Sequence, residues 1–352
     1  MDSFKSSFLL ILLFLSSALI AQDRLPLTAP KELTEKSLSF FEYIVQDSIS
    51  KMTMVADFNT LRKNKYKEEY YEGHLSFLDR NNLLQSFPTS FRSRGNSRKK
   101  LCYYPSLKLK LPKKELNKQG LNKDNKYKLV CQCSYGKKHQ QTLLREFLAY
   151  KIFNLISPYS FQVHLIQIEY IEIPKSKRDK RFGFLLESKT TLEKRLNGTI
   201  VEREEVVLDR ISRRESIRMS LFQYMIANTD WNIPALHNVK LLLDKNENLI
   251  PIPYDYDYAG LTNTPYATAN PDYPIKSHTD RYFLSNNYTA AEINEQLIYF
   301  HQQKESIAKL MEQFSFLSKR SKRFVTRFIN RFYKTIEDEK KVRQQLIKQK
   351  GR

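Results

Sequence analysis

Alternating apolar and polar residues are the clearest pattern in the first half of the chain, and they predict short β-strands. In YPSLKLKL (104–111), Lys108 and Lys110 fall on one face and the leucines fall on the other. Successive side chains of a strand leave opposite faces, so the leucine face is expected to be buried. Similar strand patterns occur at 52–58, 70–79, 90–95 and 126–133, and as a hairpin at 163–173 and 181–188.

Helical periodicity dominates the second half. Helices are predicted at 31–52, 140–156 and 211–228, and again from 290 towards the end of the chain. A chain of 352 residues is long enough for two lobes. We therefore expect an α+β protein with a strand-rich lobe, then a mainly helical lobe, and a boundary near residues 188–195.

The stretch LIPIPYDYDYAGL (249–261) predicts one more strand, and this one has an acidic edge. Asp255 and Asp257 share a face, with about 7 Å between them along the strand. The chain carries 59 Lys and Arg against 38 Asp and Glu, so two adjacent acids stand out. For either acid alone, a solvated strand edge is also a sufficient explanation.

The first 21 residues are typical of a cleaved signal peptide. Lys5 precedes an apolar run of 13 residues, which is shorter than the ~18 needed to span a bilayer, and cleavage is expected after Ala21. An uncleaved anchor or a buried first helix are the alternatives. The signal peptide predicts a periplasmic or secreted protein, a compartment that permits disulfides.

Three cysteines leave the disulfide pattern open. Cys131 and Cys133 are neighbours on one face of a predicted strand and cannot readily bond to each other in extended form. We expect Cys102 to pair with Cys133, leaving Cys131 buried and free. Three reduced core cysteines remain the equal alternative.

A formal net charge of +21 indicates an anionic partner, without identifying it. Basic clusters occur at 92–100, 174–181 and 318–334. In the last of these, Phe324, Phe328 and Phe332 form a helical stripe that is expected to pack on the core, with membrane-surface binding as the alternative. Binding to an anionic envelope surface fits this charge. Nucleic acid is not expected, because no known nucleic-acid module is present.

The region after the 211–228 helix combines the residue types that phosphoryl transfer uses. The helix leads to Asp230, a loop follows with Asn232, His237 and Asn238, and the predicted strands around a DKNEN turn bring back the Asp255 region. One Asp can accept the proton of an attacking hydroxyl, while an Asn and a second Asp hold magnesium on the phosphates. Asp257 is a close second to Asp255 for this role.

The stretches FRSRGNSRKK, SLKLKL, FGFLLES, NTDWNIPALHN and PYDYDYAG together resemble the spore-coat protein H (CotH) kinase family, over roughly residues 55–285. The loop and acidic strand are also similar to HipA-type kinases. The resemblance implies a two-lobed atypical protein-kinase-like fold that uses ATP with Mg²⁺ or Mn²⁺. The expected segments of the chain are a signal peptide (1–21), an N-terminal helical segment (22–52), an N-lobe (53–190), a C-lobe (191–335) and a basic charged tail (336–352). The first helix and the tail lie outside the resemblance.

The resemblance also implies the upper wall of a nucleotide site. The phosphate-facing loop would contain Arg94, Gly95, Asn96 and Ser97. Lys108 or Lys110, with Lys110 favoured, would contact the α- and β-phosphates, and Glu146 would hold that lysine. Glu187 would end the strand that leads to the adenine-binding hinge.

The lower wall would hold the catalytic and metal-binding side chains. Asp230 resembles the catalytic Asp, and Asn238 and Asp255 resemble the metal ligands, with Asp257 as the second candidate. Two departures are evident: Asn238 lies eight residues after Asp230 rather than five, which leaves Asn232 as an alternative ligand, and neither G-x-G-x-x-G nor D-F-G is present.

The expected function is therefore transfer of a phosphoryl group from ATP to a protein or another hydroxyl acceptor. The alternative is an envelope protein of weak or absent catalytic activity that binds an anionic partner through its basic surface.

Overall fold

The computed structural model describes residues 38–45, 49–202, 207–285 and 287–348. The chain divides into two compact units, Met1–Thr34 and Glu35–Arg352, and every described residue belongs to the second. The expected signal peptide at 1–21 lies outside the described residues. Among the described helices, none combines the length and the apolar character that crossing a membrane requires.

Seven strands close into a barrel. Its members in chain order are β1 (Ser50–Ala56), β2 (Tyr71–Leu78), β3 (Leu84–Arg94), β4 (Ser106–Lys110), β5 (Lys126–Cys131), β6 (Val163–Glu172) and β7 (Lys177–Leu186). Around the barrel the order is β1-β2-β3-β4-β5-β7-β6. All neighbours are antiparallel except β1 and β6, which run parallel, with Ser50 opposite Ile166. This parallel pair is what closes the sheet.

The predicted alternation of β4 is confirmed and shows how the barrel is filled. Leu107 and Leu109 are buried in the interior, while Lys108 is half-buried and Lys110 is exposed on the outer face. The interior also contains closely packed aromatic rings, such as Phe77 stacked on Phe87 at 6.1 Å between ring centroids. Burial of this apolar face is the main contribution to the stability of the barrel.

Ten α-helices accompany the strands within the described residues. They are α1 (Phe40–Ile44), α2 (Phe58–Lys63), α3 (Asn96–Leu101), α4 (Lys113–Lys118), α5 (Lys137–Ile156), α6 (Lys189–Leu196), α7 (Arg213–Met225), α8 (Ala290–Gln313), α9 (Lys319–Ile336) and α10 (Glu339–Val342). A 3-10 turn at Leu208–Arg210 and a π-helical turn at Arg343–Ile347 complete them.

The fold class expected from the sequence is wrong. The structure is a closed seven-stranded barrel with mixed α and β elements, and it is not a two-lobed kinase fold with a helical C-lobe. Phe184 and Leu186 on the outside of β7 belong to the same hydrophobic cluster as Phe222 of α7 and Phe328 of α9. Because one core spans the expected boundary at 188–195, the helices are a layer against the barrel, and they do not form a separate lobe.

A second, three-stranded sheet has the order β10-β9-β8, formed by β8 (Thr199–Ile200), β9 (Val239–Leu243) and β10 (Leu249–Pro253). All five residues of β10 are buried, and the strand ends at Pro253. The expected acidic strand edge is therefore wrong: Asp255 has φ +65°, a left-handed conformation that no strand accepts. Asp255 and Asp257 lie in a loop.

Three local expectations have clear outcomes. The described part of the helix expected at 31–52 is limited to α1, because β1 already begins at Ser50. The expected Cys102–Cys133 disulfide is confirmed, and Cys131 is free and buried. The phenylalanine stripe of α9 packs inside the protein, with Phe328 and Phe332 fully buried.

Candidate functional site

The loop after α7 carries Asp230, the acid expected to act as a base. Asn228 is buried and accepts the backbone N–H of Asp230 on its side-chain oxygen at 3.1 Å. The backbone carbonyl of Asn228 accepts the indole N–H of Trp231 at 3.2 Å, and Trp231 is buried in a small core beside β9. A buried amide and a buried indole therefore fix the position of Asp230.

Both carboxylate oxygens of Asp230 are engaged by the same loop. His237 Nε2 lies 2.8 Å from Oδ1, and Asn238 Nδ2 donates to Oδ2 at 3.0 Å and to the Asp230 carbonyl at 2.8 Å. The Asp230 side chain is still 36% exposed. These contacts orient the carboxylate and leave part of it accessible to solvent.

The choice between the two loop asparagines follows from their contacts. Asn232 is exposed, and its side-chain oxygen accepts the backbone N–H of Ala235 at 2.7 Å, as a turn residue does. Asn238 instead contacts Asp230 directly. The backbone carbonyl of Asn238 also accepts the N–H of Tyr254 at 3.0 Å, which places Asp255 one residue away from this contact. The loop therefore connects Asp230, Asn238 and Asp255.

Asp255 occupies a strained turn that two partners maintain. Its φ of +65° is unfavourable for a residue with a side chain. Its backbone N–H donates to the Tyr150 hydroxyl at 2.8 Å, and Tyr150 is buried in α5. The turn directs Asp255 out of the β10 line, and its side chain remains partly exposed.

Asp257 and Glu146 are joined by a buried arginine. Arg98 donates from Nε to Asp257 Oδ2 at 3.1 Å and from Nη2 to Glu146 Oε2 at 2.5 Å, and all three side chains are at least 90% buried. Tyr266 also donates to Asp257 Oδ2, at 2.9 Å. We call Glu146, Arg98 and Asp257 the buried triad.

The expected pairing of Lys110 with Glu146 is therefore wrong. Lys110 is exposed on the outside of the barrel, where its Nζ lies 5.4 Å from the Tyr70 ring centroid. Arg98, and not Lys110, is the cation paired with Glu146. A guanidinium can bridge two carboxylates with separate N–H groups, whereas an ammonium is a point charge.

The acidic side of the site is crowded with negative charge. Burial raises the pKa of Glu146 to about 6, Arg98 opposes this shift, and the charge of Asp255 adds to it. Burial, followed by the charge of Asp255, also raises the pKa of Asp257. Asp255 is thus close enough to repel both acids of the buried triad, and an added cation would relieve this repulsion.

The outer face of the barrel brings lysines together across two strands. Lys108 of β4 is directly opposite Lys128 of β5, and Lys110 is opposite Lys126. Like charges directly opposite each other destabilise a sheet. Such a row is typical of a surface that meets an anion.

A cavity of 780 Å³ adjoins this lysine row, and we call it the lysine cavity. It is lined by eight lysines and by only two carboxylates, those of Asp124 and Glu187. The lysines are Lys108, Lys113, Lys123, Lys126, Lys128, Lys189, Lys194 and Lys240. Lys110 is not part of the lining, so Lys108 is the β4 lysine that reaches this cavity.

Protein groups already engage both acids of the lysine cavity. Glu187 is buried and accepts both Nε and Nη2 of Arg195, at 2.8 and 2.9 Å. Asp124 accepts the hydroxyls of Ser188 and Thr191, and burial raises its pKa. Glu187 is therefore bonded to the last turn of α6 and Asp124 to its first turn, and the cavity keeps a strong positive charge.

Lys128 connects the lysine cavity to the acidic loop. Its pKa is lowered to about 8, chiefly by burial and further by the charges of Arg94 and Lys240, while Asp255 opposes the shift. Lys128 Nζ lies 5.0 Å from the ring centroid of Tyr254, the residue before Asp255. Lys128 is therefore within electrostatic range of both the lysine cavity and the Asp255 turn.

The expected phosphate loop contributes mainly through Arg94. Arg94 ends β3, and its charge acts on both Lys128 and Glu146. Gly95 has φ +87° and begins α3, in which Asn96 is exposed and Ser97 is half-buried. The left-handed turn at Gly95 is what lets Arg98, one turn further on, enter the protein.

Arg98 and Lys128 were missed by sequence reasoning, although each had a signal. Arg98 lies in RSRGNSRKK, where the number of cations concealed that one of them is buried. Lys128 lies in KYKLVCQC, whose alternation matches that of SLKLKL. Pairing the two strands in register would have placed Lys128 beside Lys108.

A metal ion would have few protein ligands here. In the described parts of the chain, no group of three or more His, Cys, Asp and Glu side chains is placed to hold a metal. Mg²⁺ on a nucleotide needs only one or two carboxylates besides the phosphates. Asp255, beside the triad acids, fits such a role, as does the side-chain oxygen of Asn238. Asp257 does not, because Arg98 and Tyr266 already hold it.

A scan against protein-family models found no match for this chain. A search of curated proteins also found none.

Proposed function

We propose that the protein transfers a phosphoryl group from ATP to a hydroxyl group of a protein or another acceptor. The observation that carries this proposal is that Asp230 and Asn238 are hydrogen-bonded to each other, and that Asp255 lies within electrostatic range of Lys128, which lines the lysine cavity. Phosphoryl transfer depends mainly on positioning and on stabilisation of charge, and these residues supply both.

Asp230 acts as the base in this proposal. His237 and Asn238 hold its two oxygens, so its remaining lone pairs face the acceptor hydroxyl. The hydroxyl proton moves to Asp230 as the hydroxyl oxygen bonds to the γ-phosphorus. The bond from that phosphorus to the β,γ-bridging oxygen breaks, and ADP leaves with the electron pair.

The lysine cavity holds the phosphates. Lys108 and Lys128 approach from adjacent strands, and Arg94 lies within electrostatic range of Lys128. When bound, Mg²⁺ or Mn²⁺ would neutralise charge on the phosphate oxygens, and Asp255 and Asn238 are the residues that would hold it. Its binding would also offset the repulsion between Asp255 and the buried triad.

The test is transfer of label from γ-³²P-ATP in the presence of Mg²⁺ or Mn²⁺, either to the protein itself or to a panel of acceptor proteins. Asp230→Asn should abolish transfer while leaving ATP binding unchanged, because the amide keeps the shape of the carboxylate but cannot accept the proton. Asp272→Asn is the matched control, since Asp272 is an exposed acid in a different loop. Equal transfer by wild type and Asp230→Asn would refute the proposal.

A second candidate is an anion-binding protein without catalysis, acting in the envelope after signal-peptide cleavage. The positive lysine cavity favours it, because phosphate binding there requires no metal. Binding of ATP that is equally tight with Mg²⁺ and with EDTA, together with no transfer, would select this candidate.

A further inference from the structure

Helix α9 presents a straight row of cations to solvent. Arg320, Arg323, Arg327, Arg331 and Lys334 are separated by three or four residues, so they follow one face of the helix. All five are exposed. At 1.5 Å per residue, the row is about 21 Å long. We call it the α9 row.

The helix that carries the row is fixed. Its opposite face contributes Val325, Phe328, Ile329 and Phe332 to the main core, each at most 1% exposed. The backbone of Phe328 also accepts Arg281 Nη2 at 2.6 Å. The α9 row is therefore a rigid feature, and its apolar face is not available for insertion into a membrane.

Little of the charge of the row is compensated within the described chain: Glu337 acts on Lys334 at the end of the row. α9 contains no acidic residue between Lys319 and Ile336. Among the ion pairs of the described residues, none includes a member of the α9 row. By contrast, two other cations are paired with acids: Arg213 with Glu292, and Lys304 with Glu337.

The row also lines a concave surface. A groove of 800 Å³ is formed entirely by α9 residues: the α9 row together with Phe324 and Asn330. A groove between long side chains suits a chain that lies along it better than a flat bilayer. No large apolar residue of α9 is exposed, so the apolar centre of a protein–protein interface is also missing.

We propose that the α9 row binds a linear phosphodiester polymer through its backbone charges. Arginine forms bidentate hydrogen bonds with phosphate, and four of the five cations are arginines. Such binding is independent of the groups attached to the phosphates. The row is distinct from the lysine cavity, so this inference does not depend on the proposed phosphoryl transfer.

The test measures binding of fluorescent single-stranded oligo(dT) and of poly(glycerol phosphate), which has no bases, over a range of salt concentrations. The variant replaces Arg320, Arg323, Arg327 and Arg331 with Gln, a good helix former. The matched control replaces Lys175, Lys177, Arg178 and Lys180 with Gln, which removes the same formal charge from the exposed β6–β7 hairpin. Thermal unfolding checks that both variants remain folded.

We expect the α9 variant to bind both polymers roughly 10²- to 10³-fold more weakly at ~0.1 M salt, with a salt slope smaller by about 2.8, at ~0.7 per lost contact. The hairpin variant should change affinity by less than about threefold. Equal losses in the two variants would refute the proposal by showing diffuse attraction. Binding of oligo(dT) but not of poly(glycerol phosphate) would refute recognition of the backbone. If the protein bound neither polymer but bound phosphatidylglycerol vesicles through α9, the proposal would be refuted and the partner would be a membrane surface.

Discussion

Charged side chains are arranged in opposite ways in the buried triad and in the lysine cavity. In the triad, Arg98 lies between Glu146 and Asp257, and almost none of these side chains reaches solvent. In the lysine cavity, Lys108 lies opposite Lys128, and the nearby acids are bound to other protein groups. In the first arrangement one cation is bonded to both acids, and Glu146 Oε1 is left without a hydrogen-bond partner. In the second, two cations face each other, and a bound anion would offset their repulsion.

This difference separates structural charges from binding charges. A buried charge must be paired within the protein, because the cost of desolvation is otherwise too high. Cations that face a cavity can remain unfavourably close to each other when a ligand supplies the opposite charge. Net charge alone does not make this distinction, and the contacts of each side chain do.

The largest expected effect is on the buried triad. Arg98→Ala leaves two buried carboxylates without their cation, so it should destabilise the protein by about 3–5 kcal/mol. The free energy of unfolding in urea measures this loss. Lys110→Ala is the control and should change stability by less than about 0.5 kcal/mol, because Lys110 is exposed.

Neutralising the whole triad sharpens the same test. Arg98→Met combined with Glu146→Gln and Asp257→Asn should be less destabilising than Arg98→Ala alone, since no buried charge remains. A large loss of stability in Lys110→Ala, with little loss in Arg98→Ala, would support a Lys110–Glu146 pair and contradict the structure.

The next largest expected change in stability is at Lys128, where removing the charge should stabilise the protein. The folded-state pKa of about 8 is below the usual 10.5, so the protonated lysine opposes folding below about pH 8. Lys128→Met should therefore stabilise the protein by about 1–3 kcal/mol near pH 7. The gain should shrink as pH rises from about 8 towards 10.5, where the folded and unfolded states both lose the proton.

Thermal unfolding of both proteins across this pH range checks the expectation. Lys110→Met is the matched control at an exposed position, and its effect on stability near pH 7 should be small. A loss of stability in Lys128→Met near pH 7 would mean that the charge of Lys128 is already compensated within the protein.

The smallest expected change in stability is at Asp255, whose charge acts both on the buried triad and on Lys128 of the lysine cavity. Asp255→Asn removes the carboxylate that repels Glu146 and Asp257, and Asn tolerates the positive φ, so a gain of less than about 1 kcal/mol is expected. Asp255→Ala should be less stable than Asp255→Asn, because alanine has no comparable tolerance for that conformation.

Magnesium distinguishes a metal-binding role for Asp255 from a purely structural one. Mg²⁺ should raise the melting temperature of the wild type more than NaCl at equal ionic strength, and this excess should be absent in Asp255→Asn. An excess of the same size in both proteins would exclude Asp255 as a ligand.

Local patterns were enough to predict most elements of the fold. The leucine face of β4, the β6–β7 hairpin and helix α5 follow from periodicity, because each buries one face against a neighbour. The Cys102–Cys133 bond was expected but not fixed by the sequence, because strand geometry disfavours only Cys131–Cys133 and three reduced cysteines were an equal alternative. The periodic features depend on residues that are close in sequence.

Long-range features could not be predicted in this way. The parallel pairing of β1 with β6 closes the barrel, yet nothing in the alternation of either strand specifies its partner. The period of two in LIPIPYDYDYAGL continues beyond Pro253, but the hydrogen bond from Asp255 to Tyr150 turns the chain away. Arg98 was missed for the same reason, since its two partners are distant in sequence.

The most direct test of the account is a calorimetric titration of ATP with Mg²⁺ into the wild type and three variants, Lys108→Gln, Lys128→Gln and Lys110→Gln. Lys108 and Lys110 share a strand and a face, but only Lys108 lines the lysine cavity. Losing one charged contact to phosphate should weaken binding by about tenfold or more for Lys108→Gln and Lys128→Gln. Lys110→Gln should bind like the wild type. Equal affinity in all four proteins, or a loss confined to Lys110→Gln, would contradict the assignment of the lysine cavity as the phosphate site.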